Sequence, residues 1–128
     1  MALKQKFSNK NFLIVEDDDI SSEVTNIFLR RMSGKQKITT TIVETGEAAI
    51  EKVKENNFDL IIMDFHLPGM NGEETSYEIK KINPNIPIIS LTADTYTKLD
   101  KLKTGIADTI FKPVDFNSFT NIVTKNLL

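Results

Sequence analysis

Asp59-Leu60-Ile61-Ile62-Met63-Asp64-Phe65-His66-Leu67-Pro68-Gly69-Met70-Asn71-Gly72 opens as an unbroken apolar run, reaches a carboxylate, and ends in turn chemistry. A short apolar run bounded by charge and turn signals reads as a strand buried on both faces, the habit of a parallel sheet. Proline then fixes φ, and the glycines suit positions where positive φ is expected. Asp64 therefore stands at the carboxyl end of a central strand.

Similar runs lie on both sides of this one. Residues 11–15 (NFLIV) and 87–91 (PIISL) read as strands buried on both faces, and 108–111 (DTIF) as a shorter one. Residues 37–44 (KITTTIVE) carry threonines that suit an exposed edge strand. Amphipathic stretches alternate with the runs. Ile20, Val24, Ile27 and Phe28 share a helical face, and Ala49, Ile50 and Val53 form a second stripe. Ile79 and Ile82 mark a third helix, which starts at Asn71-Gly72 and stops before Pro84. Leu99 and Leu102 mark a fourth, closed by Gly105. Phe116, Phe119, Ile122 and Val123 mark a fifth, capped by Asp115, with both phenylalanines assigned to the core.

Five βα repeats imply an α/β fold: a five-stranded parallel sheet, doubly wound. The order 2-1-3-4-5, the flavodoxin-like (βα)5 arrangement, puts the threonine-rich strand at an edge and the most apolar strand at the centre. Residues 1–10 read as an N-terminal extension and residues 11–128 as one domain.

Composition narrows the functional classes. The chain of 128 residues has no cysteine, which excludes disulfides, thiolate metal sites and a cysteine nucleophile. Its net charge of −2 argues against a protein that coats nucleic acid. No run approaches the roughly 20 apolar residues of a membrane span, and Met1–Lys6 lacks a signal-peptide core. A cytoplasmic location is expected.

In an open parallel sheet, ligands bind at the carboxyl ends of the strands. Glu16 and Asp17 follow the first strand, Asp64 the third, Thr92 the fourth and Lys112 the fifth. Three carboxylates at one rim would repel and rise in pKa unless a cation joined them. Hard oxygen ligands with room for water suit Mg²⁺. Lys112 adds a second positive charge, placed to pair with Asp64. A phosphoryl group completes such a site: Asp64 attacks phosphorus, while Mg²⁺, Lys112 and the Thr92 hydroxyl each take an oxygen. The small Ala93 leaves room for a donor. A plain ion-pair network is the rival reading, but four buried charges are costly for packing alone.

Val15-Glu16-Asp17-Asp18, Met63 to Gly72, Leu91-Thr92-Ala93 and Phe111-Lys112-Pro113 together resemble the signature blocks of response regulator receiver domains, from about Asn11 to the end. The resemblance implies that Asp64 is the phosphoacceptor and that Glu16, Asp17, Asp64 and the backbone carbonyl of His66 bind Mg²⁺. It makes Thr92 the switch hydroxyl and Lys112 the conserved-type lysine, with a cis Lys112-Pro113 bond. It implies a phosphohistidine donor on a sensor histidine kinase or phosphotransfer domain, docking on the first helix near Ile20 and Val24. Such a domain is a switch rather than an enzyme; it contacts no nucleic acid itself, and a homodimer stays open. The blocks 67–72 and 111–115 lean towards the receiver of a hybrid sensor kinase.

Other residues read more plainly. His66 is an exposed loop residue that, with Asp94, could tune hydrolysis of the acyl phosphate. Lys98, Lys101 and Lys103 form a solvated face. Many receivers carry an aromatic three residues before the lysine; here Thr109 stands there. The alternatives are a receiver-like interaction module that never carries phosphate, or an aspartyl phosphatase. The latter usually wants an aspartate where His66 stands.

Overall fold

The computed structural model describes residues 7–93 and 105–127. Its strands are β1 (Lys10–Val15), β2 (Ile38–Val43), β3 (Leu60–Asp64), β4 (Ile88–Thr92) and β5 (Asp108–Phe111). They form one parallel sheet in the expected order β2-β1-β3-β4-β5. The described helices are α1 (Asp19–Ser33), α2 (Gly46–Glu55), α3 (Gly72–Ile82) and α4 (Phe116–Asn126). The helix expected at Leu99 and Leu102, the lysines Lys98, Lys101 and Lys103, and Asp94 lie outside the described residues.

Strand alternation divides the core in two. Ile61, Met63 and Ile88 pack with Ala49, Val53 and Ile79 from α2 and α3. Leu60, Ile62, Ile89 and Leu91 pack on the opposite face with Leu29 of α1 and Phe119 and Val123 of α4. Full burial of one such aliphatic side chain contributes about 1.5–3 kcal/mol, so the continuous apolar runs anchor the sheet. Phe7, inside the expected N-terminal extension, is also buried and stacks obliquely on Phe12 with centroids 6.5 Å apart.

Two helices sit differently from their apolar stripes. Ile20, Val24 and Ile27 face outward, 76%, 36% and 50% exposed, while α1 buries Ser22, Thr25, Leu29 and Ser33. Small hydroxyl residues allow close approach to the sheet, and their polar groups are met locally: Ser22 donates to the Asp19 carbonyl at 3.0 Å. On α3, likewise, Ile79 is buried and Ile82 exposed, with Thr75 and Ser76 taking the inner face. Phe116 is only half-buried, set edge-on to Phe28 at 5.3 Å, whereas Phe119 is fully buried.

Candidate functional site

The acidic cluster after β1 divides between two tasks. Asp18 caps α1, accepting the Ser21 N–H at 2.9 Å, and Asp19 lies in the first turn. Hydrogen bonds from Ser21 hold the Asp18 carboxyl below its usual pKa range. Glu16 and Asp17 remain at the rim. With Asp64 they form a group in which one carboxylate oxygen from each lies within 4.8 Å of the others.

Asp64 and Thr92 are the last residues of their strands, one position deeper in the ladder than the apolar runs suggest. Asp64 pairs in register with Leu91, and Thr92 with Phe111. Asp64 is 7% exposed, and its Oδ1 accepts the His66 N–H at 3.1 Å. The His66 side chain is exposed, as expected. Thr92 is buried, and its carbonyl accepts the Lys112 N–H at 2.8 Å, tying the ends of β4 and β5 together. The Lys112-Pro113 bond is cis.

Lys112 does not pair with Asp64 alone. Its Nζ lies 3.2 Å from Glu16 Oε1 and 3.7 Å from Asp64 Oδ2, so it bridges both. Glu16 is 2% exposed, and its second oxygen, Oε2, is buried with no hydrogen-bond partner among the described residues. Burial, followed by the neighbouring Asp64, pushes the Glu16 carboxyl up to about 7, against the lowering pull of Lys112. A proton or a further cation would satisfy Oε2. The donor set, three carboxylates with the remaining ligands left to water or carbonyls, fits a hard divalent cation such as Mg²⁺.

The turn after β3 is held by close packing as much as by φ. Gly69 has φ 71°, as expected, but Gly72 does not have positive φ. A Cβ on Gly72 would lie 2.8 Å from the Phe65 Cα and 2.9 Å from the Asp64 carbonyl oxygen. The Gly72 N–H also donates to the Phe65 carbonyl at 2.9 Å. Glycine is needed there because backbone cannot yield to a methyl group. Gly72→Ala is therefore expected to cost about 1–3 kcal/mol by overpacking, read as a lower urea midpoint; an unchanged midpoint would refute the contact.

This fold, with acids, threonine and lysine at the switch-point rim, defines a receiver-type α/β domain. The chain belongs to the response regulator receiver domain family, which matches residues 12–124. It is 33% identical over 121 residues to the transcriptional regulatory protein ZraR of Escherichia coli K12, covering 93% of this chain and 26% of that protein. It thus spans about a quarter of that relative's length. Among solved structures it resembles the receiver domain of sensor histidine kinase PA1611 from Pseudomonas aeruginosa PAO1, described with magnesium coordinated in its active-site cleft. That likeness has TM-score 0.81 and 25% identity, over 94% of this chain and 98% of the other. It also resembles the receiver domain of Saccharomyces cerevisiae Ssk1, co-crystallised with the histidine phosphotransfer protein Ypd1. Here the TM-score is 0.78 and the identity 28%, over 93% and 89% of the two chains. The chain is a receiver domain of two-component signalling. No described helix is long and apolar enough to cross a membrane.

Proposed function

We propose that the rim site accepts a phosphoryl group on Asp64, with Glu16, Asp17, Asp64 and the His66 backbone carbonyl as Mg²⁺ ligands. Thr92 and Lys112 are the groups that bind phosphoryl oxygens. The observation that carries this reading is the three-carboxylate cluster in which Glu16 Oε2 is buried and unsatisfied. A site with one cation too few suits a divalent ion, and a site with Lys112 bridging two acids suits an incoming anion.

Bound Mg²⁺ supplies positive charge beside the phosphoryl oxygens. An Asp64 carboxylate oxygen attacks phosphorus; the O–P bond forms as the P–N bond of a phosphohistidine breaks. The electron pair stays on the leaving imidazole nitrogen, which takes a proton from solvent. The His66 N–H fixes the Asp64 carboxylate, Lys112 turns from Glu16 towards the phosphoryl oxygens, and the Thr92 hydroxyl donates to another. The protein's share is positioning and charge neutralisation.

The donor in this reading is a sensor histidine kinase or histidine phosphotransfer domain, and the setting is the cytoplasm. The chain acts as a switch, turning over no substrate but its own phosphoryl group. Ile20 and Val24 line a groove of about 270 Å³ that runs to Lys112, Pro113 and Val114, giving the donor an apolar seat beside the site.

Incubation with acetyl phosphate and Mg²⁺, followed by intact mass, is expected to add one phosphoryl group that Asp64→Asn abolishes. An unlabelled wild-type chain would favour a receiver-like interaction module instead. Ile20→Glu on the groove is expected to slow transfer from a phosphohistidine donor and spare labelling by acetyl phosphate. Equal slowing of both would remove the docking role.

A further inference from the structure

Ser90 lies in the middle of β4, 1% exposed, and its Oγ has no hydrogen-bond partner among the described residues. Buried hydroxyls are almost always paired, and an unpaired one is unfavourable. The strand register says what could pair with it. Ser90 stands opposite Met63 on β3 and Thr109 on β5. Residues in register on parallel strands share a face of the sheet, with the strands about 4.8 Å apart. Met63 offers only a weak sulfur acceptor. Thr109 is half-buried and offers a hydroxyl on the same face of the neighbouring strand.

Both strands around this pair end in the rim site. Thr92 is two residues beyond Ser90, and Lys112 three beyond Thr109. Main-chain bonds couple the ends: the Phe65 N–H donates to the Leu91 carbonyl at 2.8 Å, and the Lys112 N–H to the Thr92 carbonyl at 2.8 Å. An anion entering the site draws Lys112 off Glu16, where Nζ now rests at 3.2 Å. Such a movement would be felt at the end of β5, which lies beside β4 across the Ser90–Thr109 step.

We propose that Ser90 and Thr109 form a hydroxyl latch, open in this structure and closed by a mutual hydrogen bond when the rim site is loaded. The idea rests on the phosphoacceptor reading and makes Ser90 a positioning residue for the loaded state. A bond made only in that state shifts the population towards it. It also gives the chain a polar readout at position 109.

The test is titration with beryllofluoride in saturating Mg²⁺, by calorimetry, beside thermal midpoints of the unloaded proteins. Ser90→Ala and Thr109→Val are each expected to weaken beryllofluoride binding by about five- to tenfold, the scale of one hydrogen bond. Their unloaded midpoints should hold or rise. The double variant should lose no more than either single one, because both remove the same bond. Thr109→Ser, which keeps the hydroxyl, should bind like the wild type. Wild-type affinity in both single variants, or additive losses in the double, overturns the latch. A folded wild-type chain that binds no beryllofluoride overturns the phosphoacceptor reading, and the latch with it.

Discussion

Lys112→Met is expected to slow acetyl-phosphate labelling of Asp64 by about 10²–10³-fold, the loss that follows removal of one preorganised charge-stabilising donor. The prediction follows from where Nζ sits, 3.2 Å from Glu16 and 3.7 Å from Asp64. Without it, three carboxylates share the rim with no lysine charge between them. The incoming phosphoryl group also loses its fixed cation, so the variant should suffer in rate more than in the final extent of labelling. Lys112 is one of the groups that hold Glu16 down, so the variant should carry a Glu16 proton to higher pH and require more Mg²⁺. Lys112→Arg should not restore the rate, because a planar fork cannot take the place of a compact ammonium between two acids. Time courses by intact mass at several Mg²⁺ concentrations would decide it. Wild-type rates in Lys112→Met would mean that the lysine is only a structural counter-ion.

The sheet was legible because its central strands are buried on both faces and so appear as unbroken apolar runs. The rim was legible for the same reason: whatever follows such a run in a parallel sheet must emerge at one edge. Glu16, Asp64, Thr92 and Lys112 could therefore be placed beside one another without coordinates. Helix orientation was not legible from periodicity alone. The Ile20, Val24 and Ile27 stripe has the spacing of a core face, and only the family resemblance marked Ile20 and Val24 as a docking surface; α1 buries Ser22, Thr25 and Leu29 instead. Periodicity marks an apolar face without saying what covers it, and small hydroxyl residues can pack where close approach matters more than area. Electrostatic detail was hidden too. The residues that follow each strand foretold a lysine beside Asp64, but its nearer contact is Glu16, a difference of 0.5 Å between two distances (3.7 against 3.2). The unpaired Ser90 depends on register across β4 and β5, which no single stretch of sequence encodes.

Glu16→Gln is expected to stabilise the metal-free protein above pH 7 and to lose most of the stabilisation by Mg²⁺. Glu16 titrates at about 7 in the folded chain against 4.5 as its ordinary value. A group whose folded pKa is raised contributes stability that is fully present below the unfolded value and is lost as pH rises through the folded one. The window therefore runs from about pH 4.5 to 7, and at 1.36 kcal/mol per unit the loss approaches about 3 kcal/mol. Glutamine has no proton to lose, so this part of the pH slope should vanish in the variant. A divalent cation held as proposed should reverse the wild-type trend, because it would take over Oε2 only when the proton leaves. Its apparent affinity should fall by up to about tenfold per pH unit below 7, since one proton competes with it. Urea midpoints from pH 5 to 8, with and without Mg²⁺, measure both effects. The same slope in wild type and Glu16→Gln would place the raised carboxyl elsewhere. A Mg²⁺ effect independent of pH would show that the ion does not displace the Glu16 proton. With both trends present, the unsatisfied oxygen at Glu16 is the feature that makes the resting rim receptive to a metal at neutral pH, and a destabilising one in its absence.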